Sequence, residues 1–229
     1  MREHVIIDSF LSHLCNGCPT KLYQLKKWVA NALHTPNDRT RPMLLLQGIE
    51  GGGQELFCSF LEHLFSCIDS TYTSCKITSS PEREVWGRYN GDMLHSRLVC
   101  WVDINRVTTL YKYENNIKSL LREPKMLVKN RSSDVAEDLR QISLDNKTSI
   151  VAVTSNNINY SDDSLTWLLD IRVTERIPEE LACNTLHAMH TLLVSNAFKK
   201  IYKDMKGIAW QEKVWLECYQ KLRENIKET

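Results

Sequence analysis

The chain has 229 residues, of which 42% are hydrophobic and 25% charged, and its net charge is +1. That is the composition of a soluble globular protein, long enough for one α/β domain with flanking helices or for one domain plus a small one. The near-neutral balance excludes a bulk field that would drive nucleic-acid or membrane binding, so any basic surface must be local.

In chain order, Val5, Ile6, Phe10, Leu11 and Leu14 fall at helical spacing before Asn16-Gly17 and Pro19-Thr20 break the pattern. The eight cysteines (15, 18, 58, 67, 75, 100, 183 and 218) are scattered, and a large domain has no need of disulfides, so reduced thiols are expected. Cys15-Asn16-Gly17-Cys18 is the one tight pair, with His13 nearby. A zinc site would need two more ligands and there is no second C-x-x-C, so the reading is an Asn-Gly turn between helices and no metal. Leu22, Leu25, Trp28, Val29, Ala32 and Leu33 mark a second amphipathic helix that ends before Pro36.

A polar loop leads into Met43-Leu44-Leu45-Leu46-Gln47, a short buried-strand pattern, then into the loop Gly48-Ile49-Glu50-Gly51-Gly52-Gly53. Phe57, Phe60, Leu61, Leu64 and Phe65 describe the next helix. Strand, glycine loop and helix together form the context of a phosphate-binding loop. Residues 97–103 (RLVCWVD) read as a second buried strand, Thr108 to Glu123 as a helix, 149–154 (SIVAVT) as a third strand and Trp167 to Val173 as a fourth. The polar stretch between about 123 and 149 is long for a structureless loop, so a hairpin or helix is expected there. The tail from Pro178 to Thr229 reads as helical, with Trp210, Trp215 and Tyr219 giving it an apolar side. No basic segment followed by a long apolar run opens the sequence, and no segment approaches the roughly 20 apolar residues of a membrane span. The expectation is an intracellular, soluble protein of cytoplasm or nucleus, without a membrane partner. The sequons at Asn130, Asn146 and Asn159 carry no weight in such a chain.

Four of these segments, taken in order, resemble the superfamily-3 helicases of the poxvirus and phage primase-helicase type. The run KWVANALHTPNDRTRPMLLLQGIEGGGQELFCSFLEHLF resembles their helix, loop, strand and Walker A; RYNGDMLHSRLVCWVD resembles their Walker B segment. Lys118 and Lys129 resemble the lysines of their B′ motif, which contacts single-stranded DNA, and SIVAVTSNN resembles motif C, with Asn156 as its sensor asparagine. The resemblance spans about residues 20 to 175. It implies an α/β, P-loop (AAA+-like) parallel sheet flanked by helices, with helical N- and C-terminal segments. The expected organisation is a helical lead-in over 1–40, a degenerate helicase-like core over 41–175 and a helical segment over 176–229. The family works as oligomeric rings in DNA replication, so single-stranded DNA, and a homo-oligomer or a ring with an active paralogue, are the implied partners.

The departures from the pattern bear on activity. Gly48 and Gly53 match Walker A, but Gln54 stands in place of the lysine that neutralises the β- and γ-phosphates. Glu55 replaces the hydroxyl that would ligate magnesium, and Glu50 adds further negative charge. Losing one attractive charge and gaining a repulsive one, a few ångströms from a polyphosphate, costs several kcal/mol on an order-of-magnitude scale. Asp103 survives in Walker B, but Ile104 follows it where the family has the water-activating glutamate. Aligned by Asp163, Ser164 and Leu165 stand where the arginine fingers belong, and Arg172, inside a strand, is a poor substitute. ATP and magnesium are therefore not expected to bind well, and no residue is assigned a catalytic role.

Gly51, Gly52 and Gly53 also read simply as a strand-to-helix turn, and Asp103 and Asn156 as structural hydrogen-bonding groups. Residues 118–131 carry Lys118, Arg122, Lys125, Lys129 and Arg131 against Glu123 alone. They read either as a solvated helix end and loop or as a phosphate-backbone contact formed by Lys118, Lys129 and Arg131. The leading expectation is a pseudo-ATPase that binds DNA or joins a ring through apolar contacts around Phe10 and Leu11. The competing ones are an active ATP-dependent DNA helicase with atypical motifs and a purely structural interaction scaffold.

Overall fold

The computed structural model describes residues 3–66, 75–102, 104, 112–129, 141–158, 160 and 167–194. Asp103, Asn130, Arg131, Asn159, Asp163, Ser164, Leu165, Trp210, Trp215 and Tyr219 lie outside the described residues.

Two helices open the fold, α1 (Glu3–Leu14) and α2 (Pro19–His34). β1 (Met43–Gly48) runs through the glycine loop into α3 (Gln54–Ser66), which is followed by β2 (Cys75–Thr78), the single turn α4 (Pro81–Glu84) and a 3-10 turn, Gly91–His95. Next come β3 (Leu98–Trp101), α5 (Glu114–Arg122), β4 (Lys125–Lys129), β5 (Gln141–Asp145), β6 (Ser149–Thr154), β7 (Leu168–Val173) and α6 (Glu179–Val194).

Five strands pair in parallel in the order β2-β3-β6-β1-β7. This is the parallel sheet flanked by helices that the sequence implied. Strand periodicity divides the core into two layers. Leu44, Leu46, Cys100, Val151, Val153, Ile171 and Val173 face α1, α2, α3 and α6. Met43, Leu45, Val99, Trp101, Ile150, Ala152 and Leu168 face α5, the 3-10 turn and β4. Because both faces are covered, β1 and β6 are buried at every position and their sequences run apolar without alternation. Each such leucine contributes about 2 kcal/mol of burial.

The lead-in helices and α6 belong to the same core layer as the sheet. Phe10 and Leu11 are buried there, Phe10 completely, so they are not available as an assembly surface. The apolar residue that α1 leaves in solvent is Val5. The polar stretch after α5 contains the antiparallel pair β4-β5. β2 was not legible as a strand: it is four residues long, sits at the sheet edge and is half polar. Among the described residues, no helix is long and apolar enough to cross a membrane.

Candidate nucleotide pocket and basic hairpin

The glycine loop is shaped by the strand beside it. A Cβ on Gly48 would lie 2.0 Å from the Val173 carbonyl oxygen, and Gly48, Gly51 and Gly53 all have positive φ. Only glycine takes these positions without strain. The Ile49 N–H donates to Val173 O (3.2 Å), the Gly52 N–H to Ile49 O (3.2 Å) and the Ile177 N–H to Gly51 O (2.9 Å). The loop is thus held both by its own turn and by the chain leaving β7.

Next to it opens a cavity of about 580 Å³, lined on one side by Glu50, Gly51, Gly53, Gln54 and Glu55. Val153, Thr154 and Ser155, at the end of β6, form its floor, and Ile177, Ala182 and Leu186 its outer wall. Neither glutamate has a cationic partner among the ion pairs of the described residues. Gln54, 7% exposed, turns its carboxamide inward, and its Nε2 donates to Ile49 O at 3.1 Å. A carboxamide so engaged satisfies the loop itself and adds no positive charge to the cavity.

The C-terminal end of β6 is equally self-contained. Thr154 Oγ1 donates to Ile104 O (2.7 Å) and accepts from the Asn156 N–H (3.0 Å), while Asn156 itself is exposed. Ile104 is a core residue, 1% exposed and packed in the layer of Trp101 and Ile158. The Ile104 side chain is therefore committed to packing. Arg172 is not free either: its Nε meets Asp170 Oδ2 at 3.0 Å.

That carboxylate anchors a network which sequence reasoning missed. Gln47 Nε2 donates to Asp170 Oδ1 (2.7 Å), Gln47 Oε1 accepts from the Ile158 N–H (2.5 Å), and Tyr160 Oη donates to Asp170 Oδ2 (2.5 Å). Burial first, and the Asp170 carboxylate second, push the Tyr160 phenol up to about 12. Gln47 is fully buried within an apolar strand, which was the available signal that it had a partner.

The B′-like lysines occupy two different settings. Lys118, on α5, pairs with Glu114 at 2.5 Å and lies over the Trp167 ring. Lys129 ends β4, where its N–H donates to Asn90 Oδ1 (2.9 Å) and its carbonyl accepts from the Asn90 N–H (3.1 Å). Its neighbours around a cleft of about 560 Å³ include Lys125, Arg88 and Trp86. Lys118 does not line that cleft. Asn146 is buried and donates to the carbonyls of Leu120 (2.7 Å) and Glu123 (2.9 Å), closing the C-terminal end of α5 beneath the hairpin.

The Asn-Gly turn is present between α1 and α2, and among the described residues no group of three or more His, Cys, Asp or Glu is arranged to hold a metal.

No family model matches the chain, and no curated protein matches it. Among solved structures, the chain is similar to the apo C-terminal region of NrS-1 (residues 305–718), at TM-score 0.64 and 13% identity over 89% of this chain and 46% of that one. A second structure, the A form of the apo NrS-1 C-terminal region, matches at TM-score 0.59 and 14% identity, over 93% of this chain and 51% of that one. A third, the A form of the 305–718 region, matches at TM-score 0.58 and 13% identity, over 80% and 42%. The chain spans about half the length of these solved chains. At such identity the likeness establishes the fold.

Proposed function

We propose that this chain is a superfamily-3-helicase-like domain with a degenerate nucleotide site, acting in the DNA replication of a virus or mobile element. It binds DNA or joins a ring, and it does not turn over ATP. The reading is carried by Gln54: where the resembling family places a phosphate-binding lysine, a carboxamide is bonded back onto the loop. Glu50 and Glu55 on the same cavity wall oppose a polyphosphate, and Ile104, in the core, puts no carboxylate at the position the resemblance assigns to the water-activating glutamate. The motif order in the sequence and the likeness to the NrS-1 C-terminal region support the helicase-like assignment.

For DNA, Lys129 and Arg131 are the leading phosphate contacts. Lys118 has a lesser share, because Glu114 already neutralises much of its charge. Two titrations of the full chain test the reading: MgATP followed by calorimetry with phosphate release, and single-stranded DNA followed by anisotropy at low salt. Binding of DNA together with MgATP affinity no tighter than millimolar supports it. Micromolar MgATP binding with turnover would replace it with an active ATPase, and absence of DNA binding would leave a scaffold.

A further inference from the structure

We propose that Cys15 and Cys18 form a redox-active dithiol that closes to a disulfide by exchange with a small-molecule disulfide such as oxidised glutathione. The inference is independent of the nucleotide and DNA readings.

It starts from the turn between the first two helices. α1 ends with the Gly17 N–H donating to Ser12 O (2.9 Å) and the Asn16 N–H to His13 O (2.9 Å), with Asn16 left-handed at φ 50. This is a Schellman closure, and it makes Cys15 the C-cap that follows Leu14, the last residue of α1. A second turn is then closed by the Cys18 N–H on Cys15 O at 2.9 Å, with Gly17 at φ 67. Cys18 is the N-cap of α2, its carbonyl accepting from the Leu22 N–H at 3.0 Å. The two cysteines are thus the first and last residues of a hydrogen-bonded four-residue turn. Such a turn holds its outer Cα atoms within about 7 Å, and a disulfide requires about 4.4–6.8 Å. Both central residues adopt the positive φ that Asn and Gly tolerate best, so the Cα spacing is fixed by the backbone of the turn.

The two thiols differ as attacking and resolving groups must. Cys18 is exposed, makes no capping hydrogen bond and stands at the positive end of a 16-residue helix with no acid in its first turn. Its thiol is therefore the one a small disulfide can reach from solvent. Cys15 lies beneath it, 2% exposed, and burial pushes its thiol up to about 12, with Cys18 adding to the rise. The other close thiols, Cys58, Cys75 and Cys100, are sealed between α3 and the sheet, with Cys75 Sγ 3.7 Å from Cys100 Sγ. All three are buried, at 2%, 6% and 0% exposed. The Cys15–Cys18 pair meets solvent through Cys18.

In the first step the Cys18 thiolate attacks one sulfur of the small disulfide. That S–S bond breaks, a Cys18 mixed disulfide forms, and the departing thiolate takes up the proton Cys18 released. In the second step Cys15, deprotonated on approach, attacks the Cys18 sulfur and expels the second small thiolate, which takes that proton. The two cysteines lose two electrons, and the small disulfide is reduced to two thiols. Asn16, inside the closed ring, holds the end of β7: its Nδ2 donates to Arg172 O (2.6 Å) and its Oδ1 accepts from the Thr174 N–H (3.0 Å). Ring closure therefore acts on the segment that supports the glycine loop.

The test equilibrates the full chain with oxidised and reduced glutathione, quenches with acid, alkylates after denaturation and maps the peptides. The expected result is an internal Cys15–Cys18 disulfide, with Cys58, Cys75 and Cys100 still alkylated. Cys15→Ser should trap glutathione on Cys18, and Cys15→Ala serves if the buried serine prevents folding. Cys18→Ser should leave Cys15 without an adduct. The proposal is overturned if Cys15 and Cys18 are both alkylated after excess oxidised glutathione, or if Cys18 pairs with Cys183 instead. A stable Cys18 glutathione adduct on the unsubstituted chain would likewise overturn it.

Discussion

Gln54 lies at the start of α3 with its side-chain amide 3.1 Å from the Ile49 carbonyl, so the loop that would cradle a phosphate is latched by its own residue. Replacing Gln54 with Lys and Glu55 with Thr removes the latch and one negative charge and restores a cation. MgATP affinity is expected to rise by at least about tenfold, about 1.4 kcal/mol. Hydrolysis should stay absent because Ile104 is unchanged. Calorimetry and phosphate release on the double variant measure both; turnover in that variant would contradict the assignment of Ile104.

Gly48→Ala should be among the most damaging single changes. Its Cβ would sit 2.0 Å from Val173 O, a backbone atom of the adjacent strand. β1 and β7 would have to separate, at an expected cost of at least about 3 kcal/mol. Urea denaturation reads this directly. Gly17→Ala, where nothing lies within 4 Å, carries only the cost of its positive φ and should lose about 1 kcal/mol.

The end of α2 gives a pH dependence. Burial first, and the nearby Arg97 guanidinium second, hold the His34 imidazole below its ordinary value of 6.5. The unfolded chain therefore binds that proton more readily, and stability increases with pH in this range. The contribution is complete above the unfolded pKa and declines as pH falls from about 6.5 toward the lower folded value. The urea midpoint should drop between about pH 7.5 and about pH 5.5, and His34→Gln should flatten the drop. An unchanged slope in that variant would remove His34 as the cause.

Around the hairpin, Lys129→Ala should weaken single-stranded DNA binding more than Lys118→Ala does, because only Lys118 is paired with a carboxylate at 2.5 Å. With about three phosphates contacted, the log-log salt slope is about −2 per subunit, and each effective lysine removed should flatten it by about 0.7. Anisotropy across a salt series on several sequences tests this. Equal affinity losses for every sequence are expected, since backbone contacts carry no base information.

Any oligomer should be indifferent to nucleotide. Its surface does not include Phe10 or Leu11, which are in the core. Sedimentation velocity with and without MgATP should give the same distribution; assembly only on adding ATP would reverse the reading.

The sequence by itself determined the helices α1, α2 and α3 from their apolar spacing, and the buried strands, because β1 and β6 are covered on both faces and read as unbroken apolar runs. It also placed the glycine loop between strand and helix, and it located the turn at Asn16-Gly17, since positive φ restricts residue choice locally. The edge strand β2 was not legible, because four residues with alternating polarity take their strand character from pairing with β3. Nor was the role of α1: Phe10 and Leu14 approach Gly53 only once the sheet has brought β1 and α3 beneath them. The partners of Gln47, Asn146 and Asp170 were decided by tertiary structure alone, whereas the Glu114–Lys118 pair lies at i,i+4 on one helix. A hydrogen bond or ion pair depends on where two distant segments meet, and a residue's type states only that it needs a partner.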